Sequence, residues 1–196
     1  MRYPSDHKAR ARQALVEAGA RSLKAAGFNG IGINDLAAAA GVTSGAFYSN
    51  FPNKASMLEA VIDAFVGEPF VSDTDSVTPV EGRSRLKDLV EAYISLEHSA
   101  DPADGCPMPA LSADVSRAQP SVKEAYERRI SALANRIANL LDGEPSDRER
   151  RAWSIVALMV GSLTISRAMP ENSEAKSTSL DAARATAGML VESDPA

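Results

Sequence analysis

Few side chains in this 196-residue sequence could make or break bonds. His7 and His98 are its two histidines. They stand far apart with no carboxylate pattern between them, so neither a metal site nor a histidine-assisted nucleophile is indicated. Cys106 is the one cysteine. It excludes an intrachain disulfide and a cysteine-based zinc site, and fits a reducing cytoplasm. Asp101 and Asp104 beside it oppose a reactive thiolate, whereas Pro107 marks a helix start that would favour one. Glu91, Glu97 and His98 read as exposed helix positions. There is no HExxH and no glycine-rich phosphate loop, so the sequence indicates no enzyme and no cofactor. A different chemistry stands out. Thr43, Ser44, Gly45, Ala46, Tyr48, Ser49 and Asn50 form one cluster of small or hydrogen-bonding residues suited to a surface lying in a major groove.

The elements around that cluster form a pattern. Asn34 can cap a short helix that runs through Asp35 to Ala40 and stops at Gly41. Thr43 or Ser44 opens a second helix that ends before Phe51-Pro52, because proline disfavours a helical residue before it. Ala37 is small enough for two helices to cross, Gly41 tolerates positive φ in the turn, and Leu36, Ala40, Val42 and Phe47 hold one helix on the other. This is a helix-turn-helix whose second helix could lie in a major groove.

The stretch Gly27 to Val61, GFNGIGINDLAAAAGVTSGAFYSNFPNKASMLEAV, resembles the TetR family of bacterial transcription regulators. The resemblance rests on Gly41-Val42-Thr43, Phe47-Tyr48, Phe51-Pro52, Lys54 and Leu58. It implies that Thr43 caps the recognition helix and touches a phosphate. It places Ser44, Gly45 and Ala46 near base edges, gives the Tyr48 hydroxyl to a phosphate and sets Lys54 against the DNA backbone. The sequence departs from the family at Ile31-Gly32, where a capping Thr-Ser or Thr-Thr is frequent. It departs again at Ser44 and Ser49, where long basic or histidine side chains are frequent. A serine cannot make the bidentate guanine contact of an arginine.

Charge is distributed to match. The formal net charge of −5 speaks against a nucleic-acid binder. Residues 1–55 nevertheless hold seven basic and three acidic residues, a net +4, and the remainder holds 14 basic and 23 acidic, a net −9. Arg2, Arg10 and Arg12 form either an arm near DNA or a solvated face. The N-terminal MRYPSDHKARARQ has no apolar run of the signal-peptide kind, and Ile155 to Ile165 is too short to span a bilayer.

The remaining pattern is helical, with no strand signal. A first helix spans about Ser5 to Ala26, with Ser5 or Asp6 as its cap, Ala11, Leu15, Ala18 and Ser22 on one face, and Gly27 at its end. A fourth runs from Asn53 to about Val66. The polar run Ser72 to Gly82 reads as a loop or linker. Stripes follow at Leu86, Leu89, Val90, Tyr93 and Ile94, and at Val122, Tyr126, Ile130, Leu133, Ile137 and Leu140. The apolar residues between Asp147 and Met169 fall all round their helix, which implies burial on more than one side. The expected fold is all-α: a three-helix DNA-binding domain over residues 1–54, then an effector-binding and dimerisation domain over 55–196, about nine helices in all. Tyr93, Met108, Trp153 and Met159 are candidates for an effector pocket. Val156, Val160, Leu163, Leu180, Ala183, Ala187 and Leu190, with Trp153, are candidates for a dimer surface. The function implied is a cytoplasmic, homodimeric repressor that leaves its double-stranded operator when a partly apolar small molecule binds. The alternative is a helical carrier or enzyme with a purely structural helix-turn-helix.

Overall fold

The computed structural model describes residues 5–67 and 79–193. Among them are ten helices and no strand: α1 (Ser5–Ala26), α2 (Ile33–Ala39), α3 (Ser44–Asn50), α4 (Lys54–Phe65), α5 (Pro79–Tyr93), α6 (Leu96–Ala100), α7 (Pro107–Ser116), α8 (Pro120–Asn139), α9 (Pro145–Arg167) and α10 (Glu174–Glu192). No described helix is long and apolar enough to cross a membrane. Prolines open four of these helices, α5, α7, α8 and α9, in the first position, where the ring's fixed φ fits and the missing N–H is not needed; Pro79 therefore starts a helix inside the polar run expected to be loop. Arg2, the proposed side-chain cap of α1 and residues 72–78 of that run lie outside the described residues and side chains.

Packing divides the chain into two compact units, Met1–Val66 with Pro102–Arg129, and Gly67–Asp101 with Ile130–Ala196. In the first unit α1 packs on α2, α3, α4 and α7. Its core holds Leu15, Leu23, Leu36, Phe47, Phe51, Met57, Leu58, Val61, Ile62, Met108 and Leu111. The buried side of α1 centres on Leu15, Gly19, Ala20 and Leu23, rotated from the expected Ala11–Leu15–Ala18–Ser22 face. The larger Leu23 side chain carries more burial energy than the small residues of that face. The end of α4 is held by Arg129, whose Nε and Nη2 donate to the Val66 carbonyl at 3.1 and 2.9 Å. Between α7 and α8, Ser112 Oγ and Tyr126 Oη are 2.7 Å apart, and burial pushes the Tyr126 phenol above its ordinary range.

In the second unit α9 and α10 form the most extensive helix pair among the described residues. Leu86, Val90, Ile94, Leu133, Ile137, Ile155, Met159, Leu163, Leu180 and Val191 fill the core. Arg151 is only 2% exposed. Its Nη1 donates to the carbonyls of Leu190 (3.0 Å) and Ser193 (3.3 Å), its Nη2 to that of Asp142, and its Nε pairs with Asp147 at 2.7 Å. One guanidinium thus ties the end of α10 and the turn after α8 to the first part of α9. A hydroxyl pair, Ser99 and Ser166 at 2.8 Å, is buried elsewhere in this unit. The apolar side chains of α9 do not surround it with burial: Trp153, Ala157 and Ile165 are exposed.

Replacing Arg151 by Met keeps the stem and leaves the carbonyls of Leu190, Ser193 and Asp142 without this donor, while Asp147 keeps its pair with Arg150. Loss of such buried bonds costs about 2–5 kcal/mol. Urea unfolding followed by Trp153 fluorescence is expected to show that loss of stability.

Candidate nucleic-acid interface

The turn between α2 and α3 is built by its backbone. Gly41 takes φ 67°, a left-handed conformation that β-carbon-bearing residues rarely adopt. Its N–H donates to Ala38 O at 3.0 Å and the Val42 N–H to Ala37 O at 2.9 Å, which satisfies the last carbonyls of α2. At the other end of α2 the cap is Gly32, with no side-chain hydrogen bond. Asn34 lies inside the first turn rather than capping it, and its Oδ1 accepts from Ser44 Oγ at 2.8 Å.

Helix α3 opens on Thr43, whose Oγ1 accepts from the Ala46 N–H at 3.2 Å. Phe47 is buried and points into the unit, 5.8 Å from the ring of Phe51. That orientation exposes Thr43, Gly45, Tyr48 and Ser49 and half-exposes Ser44, Ala46 and Asn50. Tyr48 is 57% exposed, its ring standing edge-on to Phe47 at 5.6 Å. An aromatic held in that way by its neighbour carries its hydroxyl outward on a fixed arm. Ser49 Oγ donates to Gly45 O at 2.9 Å and Asn50 Nδ2 to Ala46 O at 2.8 Å, so the Asn50 amide turns back along its own helix.

Two basic residues brace this surface. Lys54 Nζ donates to Phe28 O at 2.5 Å and Ile31 O at 2.8 Å and sits over the Phe28 ring, 4.4 Å from its centroid. It fastens the start of α4 to the loop that leads into α2. Arg12 Nη1 donates to Asn50 O at 3.0 Å, and its guanidinium lies 4.3 Å from the centroid of Phe51. A cation at the carbonyl end of a helix opposes the negative end of its dipole. Arg12 is therefore attached to the far end of α3, whereas the sequence suggested only an arm or a solvated face. On the α7 side, Asp114 Oδ2 accepts from the Phe28 N–H at 2.9 Å and Lys24 Nζ donates to Gly105 O at 2.6 Å. Asn34, Phe28 and Asp114 carry no sequence signal for these roles, because their partners lie at unrelated separations.

The other candidate residues are dispersed. Met108 is buried in the first unit, and Tyr93 and Met159 in the second. Trp153 is 40% exposed and lines no interior. The ring of Tyr93 packs edge-on to His98 at 4.5 Å, and its carbonyl bonds the His98 Nδ1 at 2.9 Å, which gives that histidine a structural partner. Val156, Leu163, Leu180, Ala183 and Ala187 are buried within the single chain, and Val160 and Leu190 are half-buried. Five of the eight residues expected to meet a second copy are thus already packed inside one. An apolar residue at helical spacing serves either purpose, and the pairing of α9 with α10 takes these residues first.

Comparison with known proteins agrees with this geometry. Residues 15–61 match the family model described as bacterial regulatory proteins, tetR family. No curated protein matches the chain. Among solved structures, a TetR-family transcriptional regulator from Cytophaga hutchinsonii superposes with a TM-score of 0.72 at 22% identity, over 97% of this chain and 96% of that one. A TetR regulator from Chloroflexus aurantiacus gives 0.72 at 19% identity, over 95% and 96%. The regulator FadR from Bacillus subtilis, solved in complex with stearoyl-CoA, gives 0.68 at 14%, over 92% and 97%.

The bracing role of Lys54 is separable from any contact with DNA. Lys54→Met removes two charge-assisted bonds and is expected to lower stability by about 2 kcal/mol without DNA present. Thermal unfolding of the variant and the parent, both free of nucleic acid, measures it.

Proposed function

From a chain whose residues 15–61 match the model of the bacterial regulatory proteins of the tetR family, and which shares the fold of solved TetR-family regulators along its length, we propose a cytoplasmic transcription repressor that binds a double-stranded operator as a homodimer and releases it when a small molecule binds. The observation that carries the reading is the outer face of α3. Thr43, Ser44, Gly45, Ala46, Tyr48 and Ser49 are presented by a helix whose ends are both fastened, on the part of the chain with net +4. Thr43 and Tyr48 set register through phosphates, and Ser44, Gly45, Ala46 and Ser49 meet base edges. Lys54 serves the backbone contact through the loop it holds. The DNA-reading part spans residues 1–54, and residues 55–196 bind the effector and the second copy.

A +4 head binds DNA weakly, and one seven-residue helix touches few bases. Two heads on a near-palindrome supply both affinity and selectivity. The mating surface we assign is the uncharged outer stripe of each of the last two helices. On α9 it holds Trp153, Ala157 and Thr164, and on α10 Thr178, Ala182, Thr186 and Met189, the last 69% exposed. Such a surface supports a four-helix contact between copies.

The effector acts by population shift. Two head spacings are in equilibrium, and a ligand that prefers the one that misses successive grooves lowers DNA affinity by its differential affinity, typically about 1–3 kcal/mol. The acyl-CoA bound by the Bacillus subtilis protein supports a partly apolar effector for this fold. Tyr93 and Met159, buried in the second unit, remain the lining candidates, and Met108 is packed in the core of the first.

Fluorescence anisotropy with DNA from upstream of the protein's own gene is expected to show binding whose logarithm falls linearly with the logarithm of salt concentration. Tyr48→Phe is expected to weaken binding about 3–10-fold for every sequence alike, the worth of one hydrogen bond; unchanged affinity would reject the phosphate role. In sedimentation equilibrium the protein should run at twice 20.7 kDa, and Trp153→Glu should give the monomer. A parent protein that is monomeric at micromolar concentration would reject the assigned mating surface.

A further inference from the structure

Helix α3, with the sequence SGAFYSN, carries neither arginine nor lysine, so no side chain of it can make the bidentate contact that reads guanine. Its base choice must come from small groups, and the hydrogen-bonding sense of those groups then matters. A serine hydroxyl has one proton to donate and two lone pairs to accept with. The Ser44 proton is already committed, to Asn34 Oδ1 at 2.8 Å. This bond joins two helices and not two turns of one, and Thr43 fixes the helix end beside it. Ser49 also gives its proton away, to Gly45 O at 2.9 Å, but that is the bond any exposed helical serine can make and drop. Asn50 is turned back toward Ala46 O.

We propose that Asn34 is a specificity-determining positioning residue: by holding the Ser44 proton it makes that hydroxyl an acceptor, and the operator therefore carries an amino-bearing base, adenine or cytosine, opposite Ser44. In the major groove only adenine N6 and cytosine N4 offer donors, whereas guanine presents two acceptors and thymine an acceptor and a methyl group. An acceptor-only hydroxyl meets a partner at the first two and lone pairs at the others. Without Asn34 the hydroxyl rotates and can serve either sense. The inference rests on the operator-binding reading and extends it to a base class.

The test is a selection of bound sequences from random duplex DNA with the full chain and with Asn34→Ala, Asn34→Asp, Ser44→Ala and the Asn34→Ala/Ser44→Ala pair. The parent should prefer adenine or cytosine at one position per half-site by about tenfold, the worth of one well-made bond. Ser44→Ala should abolish that preference. Asn34→Ala should relax it to below about threefold and leave the other positions alone. The pair should behave as Ser44→Ala does. Asn34→Asp keeps the acceptor oxygen and should keep the preference, even if its charge weakens binding to all sequences. The proposal is overturned if Asn34→Ala retains the full preference, if it loses affinity equally for every sequence as loss of a phosphate contact would, or if Asn34→Asp loses the preference. A parent that shows no salt-sensitive DNA binding overturns the operator reading itself, a result distinct from selective binding with an unmoved preference.

Discussion

A seven-residue helix cannot hold its own position or even its own conformation in water, because nucleation costs more than two turns of hydrogen bonds return. Helix α3 is such a helix, and the arrangement around it follows from that constraint. Phe47 is sunk into the core beneath it. Thr43 satisfies a donor at its start, and Asn34 reaches across from α2 to Ser44. Arg12 reaches across from α1 to the carbonyl at its end and covers Phe51. What is left outward is a narrow strip of small side chains and one tyrosine. Rigidity here substitutes for reach: short side chains can read a groove only if their backbone arrives in one place.

The loop from Gly27 to Gly32 is the second dependent element. It has no regular hydrogen-bond ladder of its own, and several of its carbonyls and amides are answered from outside. Lys54 takes two of its carbonyls, and Asp114 takes the Phe28 amide. Asp114 belongs to α7 and Lys54 to α4, so within the first compact unit two different helices grip the segment that leads into the recognition motif. A shift in either would be felt at α2. These bonds are individually modest and jointly directional.

Much of this was legible in the residues. Gly27 and Gly41 end their helices with positive φ, and Thr43 and Asn53 cap theirs, because these are local demands that particular residue types meet. The stripe from Leu86 to Ile94 and that from Val122 to Leu140 are largely buried, because helical spacing of large apolar side chains has few other uses. Asn34 shows where that logic stops. Its residue type suits a cap, yet Gly32 sits at the cap position and Asn34 spends its side chain on another helix. Lys54 and Arg12 likewise read as solvent or phosphate charges, but each finds carbonyls and an aromatic ring at separations no motif encodes. On α9 and α10 the pattern identified apolar helices correctly and could not say which face turns toward the same chain.

The split of charge, the helix-turn-helix and the helical class were fixed by residue type and short-range spacing, where capping, turn geometry and periodicity act over a few residues. The assignment of partners was not. Which carbonyl Lys54 answers, which hydroxyl Asn34 holds, and whether Leu163 and Leu180 face inward depend on elements brought together from distant parts of the chain. An ammonium, an amide or an isobutyl group has the same local preferences in either place. The long-range packing chooses between them, because it alone sets which unsatisfied groups and which apolar surfaces lie within reach.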